Sequence, residues 1–119
     1  MTTDEMKLRT KKFSLSVIGL AEKLPGTYIV KVIANQIVRS GTSVGANYRA
    51  VCRARSDKEF ISKMNIVLEE SDETLFWLEI IKEKDWSDKS ELEMILKEGN
   101  ELTAIFVSSL KTVNRRINK

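Results

Sequence analysis

VRSGTSVGANYRAVCRAR, residues 38–55, holds two glycines, a run of small residues and four arginines. Glycine inside a helix costs about 1 kcal/mol relative to alanine, so the stretch is either a phosphate-binding loop or a helix thinned for close approach. A phosphate-binding loop needs a preceding strand and a lysine–serine pair, and this segment has neither. Its flanks decide the question. Val30, Ile33, Ile37, Gly41, Val44, Tyr48 and Val51 recur at spacings of three and four, the period of one buried helix face. Gly41 and Gly45 therefore fall inside a helix.

Outward from this helix the same rhythm returns three times. Upstream, Met6, Thr10, Phe13, Val17, Leu20 and Leu24 form one seam, which Leu24-Pro25-Gly26-Thr27 ends. Proline disfavours helix at the residue before it, glycine permits the reversal, and Thr27 can cap the second helix. Downstream, Ser56-Asp57-Lys58-Glu59 is a capping box. It opens a third pattern through Phe60, Met64, Val67, Leu68, Ser71, Leu75 and Leu78. After a break at 84–88, with several acceptable N-caps in 85–90, a fourth pattern runs Leu92, Ile95, Gly99, Leu102, Phe106, Leu110 (or Ser109) and Val113. The expected helices are 4–24, 27–54, 57–84 and 88–116, forming a single domain over residues 1–119. Long amphipathic helices joined by short links lie antiparallel to their neighbours, so the predicted fold is an all-α, antiparallel up-down-up-down four-helix bundle. Folding back at Arg55-Ser56 sets helix-two and helix-three residues opposite each other when their numbers total about 111. Gly41 is then expected near Glu70, and Gly45 near Ile66.

Composition narrows the function classes. The 119 residues contain no histidine and one cysteine, Cys52. That removes the commonest general base, the usual zinc ligands and any internal disulfide. No motif supplies a serine nucleophile with a base, so an enzyme, a cofactor and a metal site are not expected. No apolar run approaches the roughly 18 residues a membrane span needs, and residues 1–12 lack a signal-peptide core. A cytoplasmic protein is expected. Cys52 reads as a small buried hydrophobe at the edge of the core.

Charge is strongly segregated along the chain. Residues 1–55 carry ten Lys/Arg against three Asp/Glu, residues 56–110 six against fourteen, and residues 111–119 four against none. Lys31, Asn35, Arg39, Thr42, Ala46, Arg49 and Arg53 form an outward stripe on helix two. This stripe is a solvated face, a subunit interface, or a row of phosphate contacts. On helix three Ile66, Glu70, Glu73, Trp77 and Ile80 form a second stripe off the core seam, with Glu69 beside it. An apolar patch rimmed by acids is what an oligomer interface presents, although Trp77 could instead pack over the bundle edge. Leu8, Leu15 and Ile18 likewise lie off the helix-one seam.

Several segments resemble the bacterial four-helix-bundle family that includes the 23S rRNA intervening-sequence proteins. Gln36-Ile37-Val38-Arg39-Ser40 is similar to its Q-I-R-R-A/S pattern, and Ser43-Val44-Gly45-Ala46-Asn47-Tyr48-Arg49 to its S-I-x-A-N-I-x-E segment. Arg53 to Ser56 with Glu59-Phe60 resembles its R-x-S-x-x-E-F turn, and EESDETLFWL at 69–78 a third-helix signature. The resemblance implies a left-handed bundle that often assembles as a ring, typically a pentamer. A relative of the family is the accessory protein of diversity-generating retroelements, a basic barrel thought to engage nucleic acid.

Two functions are therefore expected to compete. In the first, a homo-oligomer binds RNA or DNA through Arg49, Arg53, Arg55, Lys111, Arg115, Arg116 and Lys119, with Arg39, Ala46, Ile66, Glu70, Glu73, Trp77 and Ile80 at subunit contacts. In the second, a protein-interaction scaffold uses its basic stripe against acidic faces of neighbouring subunits. The fold-back at residue 55 sets Arg39 nearest Asp72 and Glu73, making it the structural arginine, and leaves Arg49 and Arg53 freer.

Overall fold

The computed structural model describes residues 1–118, so Lys119 lies outside the described residues. It contains α1 (Thr3–Glu22), α2 (Tyr28–Val51), α3 (Asp57–Lys84) and α4 (Lys89–Ile117). Each helix begins where a side chain can take up an orphan amide. Thr2 accepts from Glu5 N, Thr27 from Val30 N, Ser56 from Glu59 N and Asp88 from Glu91 N. α3 ends at Asp85, whose φ of 58° places it in the left-handed region. α1 and α2 stop short of the sequence-based limits, at Glu22 and Val51, because the chain already tightens into three-residue turns there. Leu24 N bonds to Ala21 O and Ala54 N to Val51 O.

The four helices form an all-α bundle about 51 Å long and 23 Å across. α2 packs on α1 and α3, α4 packs on α3 and more lightly on α1, and the diagonal pairs have no close backbone approach, meeting instead through core side chains such as Tyr48 of α2 and Phe106 of α4. Facing residues rise in number on one helix as they fall on its neighbour. Gly41 meets Val17 and Gly45 meets Ser14, while Ser71 meets Thr103, Lys82 meets Glu93 and Asp57 meets Arg116. The apolar seams read from the sequence converge on one core, in which Phe13, Val17, Leu20, Ile37, Val44, Val67, Leu78, Leu102 and Phe106 are almost wholly buried. Burying such side chains stabilises the fold by about 1.5–3 kcal/mol each.

The glycines of the opening stretch are indeed buried within α2, but the helix they admit is not the expected one. A Cβ on Gly41 would sit 2.7 Å from Val17 Cγ1, and one on Gly45 would sit 2.8 Å from Ser14 Oγ and 3.3 Å from the Thr10 carbonyl oxygen. The thin side of α2 therefore faces α1, not Glu70 and Ile66 of α3. Ser14 Oγ uses the opening by donating to the Gly41 carbonyl at 2.7 Å. Across α2 and α3 the fold-back register is close to that read from the turn: Ser40 and Thr74 hydroxyls pair at 2.9 Å, and Arg39 meets Glu70 and Glu73. Every buried side-chain nitrogen and oxygen among the described residues has a partner.

Candidate nucleic-acid interface

Three chain segments that are far apart in sequence meet at one end of the bundle. α1 starts there, the α2–α3 turn lies there, and α4 ends there. One cleft of about 430 Å³ is lined by residues of all four helices, among them Thr3, Tyr48, Asp57 and Val113. A second, of about 290 Å³, is lined by Lys7, Arg49 and Arg53. Residues 1–13, 46–65 and 107–118 together carry twelve Lys/Arg against four Asp/Glu. The rest of the described chain carries seven against thirteen, so the bundle is basic at one end and acidic toward the other.

Helix periodicity positions these cations. Arg49 is exposed in the last turn of α2, and Arg53 and Arg55 are exposed in the turn beyond it. None of the three has a carboxylate within ion-pair distance among the described residues, and the same holds for Lys111 and Arg115 on α4. Arg116 differs. Its guanidinium grips Asp57 through Nε at 3.1 Å and Nη2 at 2.8 Å, tying the end of α4 to the start of α3. The guanidinium holds the Asp57 carboxyl below its ordinary range, and Asp57 in turn raises Arg116. Arg116 is thus engaged within the chain. Lys7 is the cation that the sequence reading left out. Val17 against Gly41 sets the α1–α2 register, and the same register carries Lys7 to the level of residue 51, between Arg49 and Arg53.

Beneath the basic end Tyr48 is buried, its ring stacked on Phe106 with centroids 6.2 Å apart. Burial pushes its phenol up to about 12, and the neighbouring Cys52 thiol adds to the shift. Cys52 itself is half-buried against the core at the end of α2.

The expected contact residues on α2 and α3 fall into three groups. Arg39 is exposed but engaged within the chain, its guanidinium binding Glu70 at 3.1 Å and also Glu73. Trp77 Nε1 donates to the Glu73 carboxylate at 3.0 Å, and this bond and Arg39 together hold Glu73 below its ordinary range. Trp77 packs its ring on the core edge and Ile80 is half-buried, so neither forms an open apolar patch. Ala46 and Ile66 are exposed. The exposed aromatic on α3 is Phe76, which the sequence reading passed over. The pattern is present in the sequence: Glu69, Asp72, Phe76, Glu79 and Glu83 follow spacings of three and four, one residue round from the stripe of Glu70, Glu73, Trp77 and Ile80.

Residues 5–108 match the family described as 23S rRNA-intervening sequence protein. The chain belongs to that family. A solved structure from Bacteroides thetaiotaomicron, a protein of unknown function from the S23 ribosomal protein family, is similar to it. The two are 33% identical with a TM-score of 0.81, over 88% of this chain and 97% of that one. No curated protein matches the chain. Within this intervening-sequence family member the matched region spans Arg49, Arg53 and Arg55 and ends before Lys111, Arg115 and Arg116. No helix among the described residues is long and apolar enough to cross a membrane.

Proposed function

We propose that this protein is a non-enzymatic homo-oligomer that binds RNA or DNA through the basic end of its bundle. The observation that carries the reading is the cluster of Lys7, Arg49 and Arg53, with Arg55 in the turn beside it, none of which has a carboxylate partner among the described residues. Cations held close together on rigid helices and left unneutralised suit a polyanion, because each phosphate contact releases a condensed counterion. Such contacts position a nucleic acid without reading its bases. Membership in a family described by its 23S rRNA intervening sequences is consistent with an RNA ligand.

The test is a mobility-shift titration with structured RNA across a salt series, using the native chain and Arg49→Glu/Arg53→Glu. The native chain should bind with a steep salt dependence and little sequence preference. The variant should bind far more weakly, with a salt slope shallower by about one unit per lost contact, at unchanged assembly mass by light scattering. Undiminished binding by an assembled variant removes these arginines from the interface. The second reading, in which the α2 stripe pairs with neighbouring subunits, draws on the acidic stripe exposed on α3. Under that reading the same variant loses assembly first.

A further inference from the structure

α1 and α3 stand at opposite corners of the bundle, with no close backbone approach between them. Their outward faces carry opposite charge. Between residues 8 and 16, α1 exposes Lys11 and Lys12 and contains no acid. Between residues 65 and 79, α3 exposes Glu69, Asp72 and Glu79 and contains no cation. None of these five has an ion-pair partner among the described residues. Each face also exposes two large apolar side chains: Leu8 at 54% and Leu15 at 56% on α1, Ile66 at 45% and Phe76 at 50% on α3.

The two faces also match in height along the bundle. Val17 abuts Gly41, whose neighbour Ser40 bonds to Thr74, and Phe13 abuts the surface of Gly99, which abuts Leu75. Residues 13–17 of α1 are therefore level with residues near 74–75 of α3, and both helices run the same way. At about 1.5 Å of rise per residue, Leu8 lies roughly 10 Å below Leu15, and Ile66 roughly 15 Å below Phe76. Leu15 thus stands near the level of Phe76 and Leu8 near that of Ile66. Lys11 and Lys12 fall between, near the level of Glu69 and Asp72.

We infer that the α1 face of one copy docks on the α3 face of the next, with lysines against carboxylates between two apolar contacts. This rests on the homo-oligomer reading above and names the surface it uses. The faces differ and point to opposite sides of the molecule, so the contact is head-to-tail. It generates a closed ring or an open filament rather than a two-fold dimer. Interspersed opposite charges fix the register of such a contact and the apolar pairs are desolvated by it. Arg49 lies in the last turn of α2 and Arg53 in the turn just beyond it, outside both faces, so assembly leaves them free for phosphates.

Charge exchange tests the pairing. By light scattering at micromolar concentration the native chain should report several times 13.6 kDa. Lys11→Glu/Lys12→Glu and Glu69→Lys/Asp72→Lys should each fall to the monomer mass while keeping native helicity. Mixed in equal amounts they should co-assemble, since each then offers the other an opposite charge. Native mass in either variant, or a mixture that stays monomeric, overturns the face assignment. A native chain that is itself monomeric overturns the homo-oligomer reading as well. An independent measurement uses Leu8→Cys/Ile66→Cys in a Cys52→Ser background. The two thiols sit on opposite sides of one chain and cannot bridge within it, so oxidation should give a ladder of covalent oligomers. Monomer alone on the gel, from a chain that assembles, overturns the inference.

Discussion

Replacing Gly41 by alanine adds one methyl group to the middle of α2, and in an exposed helix that change stabilises by about 1 kcal/mol. Here the new Cβ would lie 2.7 Å from Val17 Cγ1, 3.1 Å from Cγ2 and 3.0 Å from Val17 Cβ. Carbons prefer about 3.5–4.0 Å. Rotating Val17 does not relieve the clash, because its Cβ stays in place whatever χ1 it adopts. α1 must therefore retreat by about 1 Å, past a side chain that is fully buried. Overpacking of this kind costs about 1–3 kcal/mol, so the propensity gain is cancelled and a net loss of about 1 kcal/mol is expected. Gly19 in α1 is the control, since a Cβ there meets nothing within 4 Å and Gly19→Ala should stabilise by up to about 1 kcal/mol. Urea denaturation at one protein concentration reads both as shifts of midpoint at constant slope. The two chemically identical substitutions should move the midpoint in opposite directions. In a Val17→Ala background the Gly41→Ala penalty should largely vanish, a coupling that a double-mutant cycle reports. If Gly41→Ala raises the midpoint as Gly19→Ala does, the close approach of α1 to α2 is wrong.

The charged residues give sharper contrasts. Arg39→Glu sets a third carboxylate beside Glu70 and Glu73 and should lower the thermal midpoint, whereas Arg53→Glu should leave stability within about 0.5 kcal/mol; equal effects would erase the distinction between a structural and a free arginine. Because the Glu73 carboxyl is held low in the fold, its contribution is present above the ordinary carboxylate range and is lost as pH falls through its folded value. Trp77 fluorescence should follow that titration, and Glu73→Gln should remove the change. The Tyr48 phenol, pushed up to about 12 by burial, works in the other direction. Stability is full below pH 10 and declines as pH rises toward 12 while the unfolded chain deprotonates, so Tyr48→Phe should resist alkaline unfolding better than the native chain.

The sequence by itself determined the number of helices, the caps of α2 and α3 and the side of each helix that is buried. It could do so because a 3.6-residue period and a serine, threonine or aspartate before a helix are local signals. Thr27, Ser56 and the seam from Val30 to Val51 needed no neighbour to be read. The short turn at 52–56 likewise made the pairing of Arg39 with acids on α3 legible, since an antiparallel hairpin fixes its own register. Which neighbour the thin side of α2 admits was not legible. Periodicity says that Gly41 and Gly45 face inward, but two helices lie inward of α2, and the packing of all four decides that α1 fills the space. Trp77 and Phe76 show the same limit at finer grain. They are one residue, or 100°, apart, and only the position of α3 against the core shows that the indole leans on it while the phenyl ring stands in solvent. The capture of Arg116 by Asp57, and the meeting of Lys7 with Arg49 and Arg53, join residues separated by most of the chain. They exist because the bundle brings the start of α1, the turn after α2 and the end of α4 to one place, which no local pattern records.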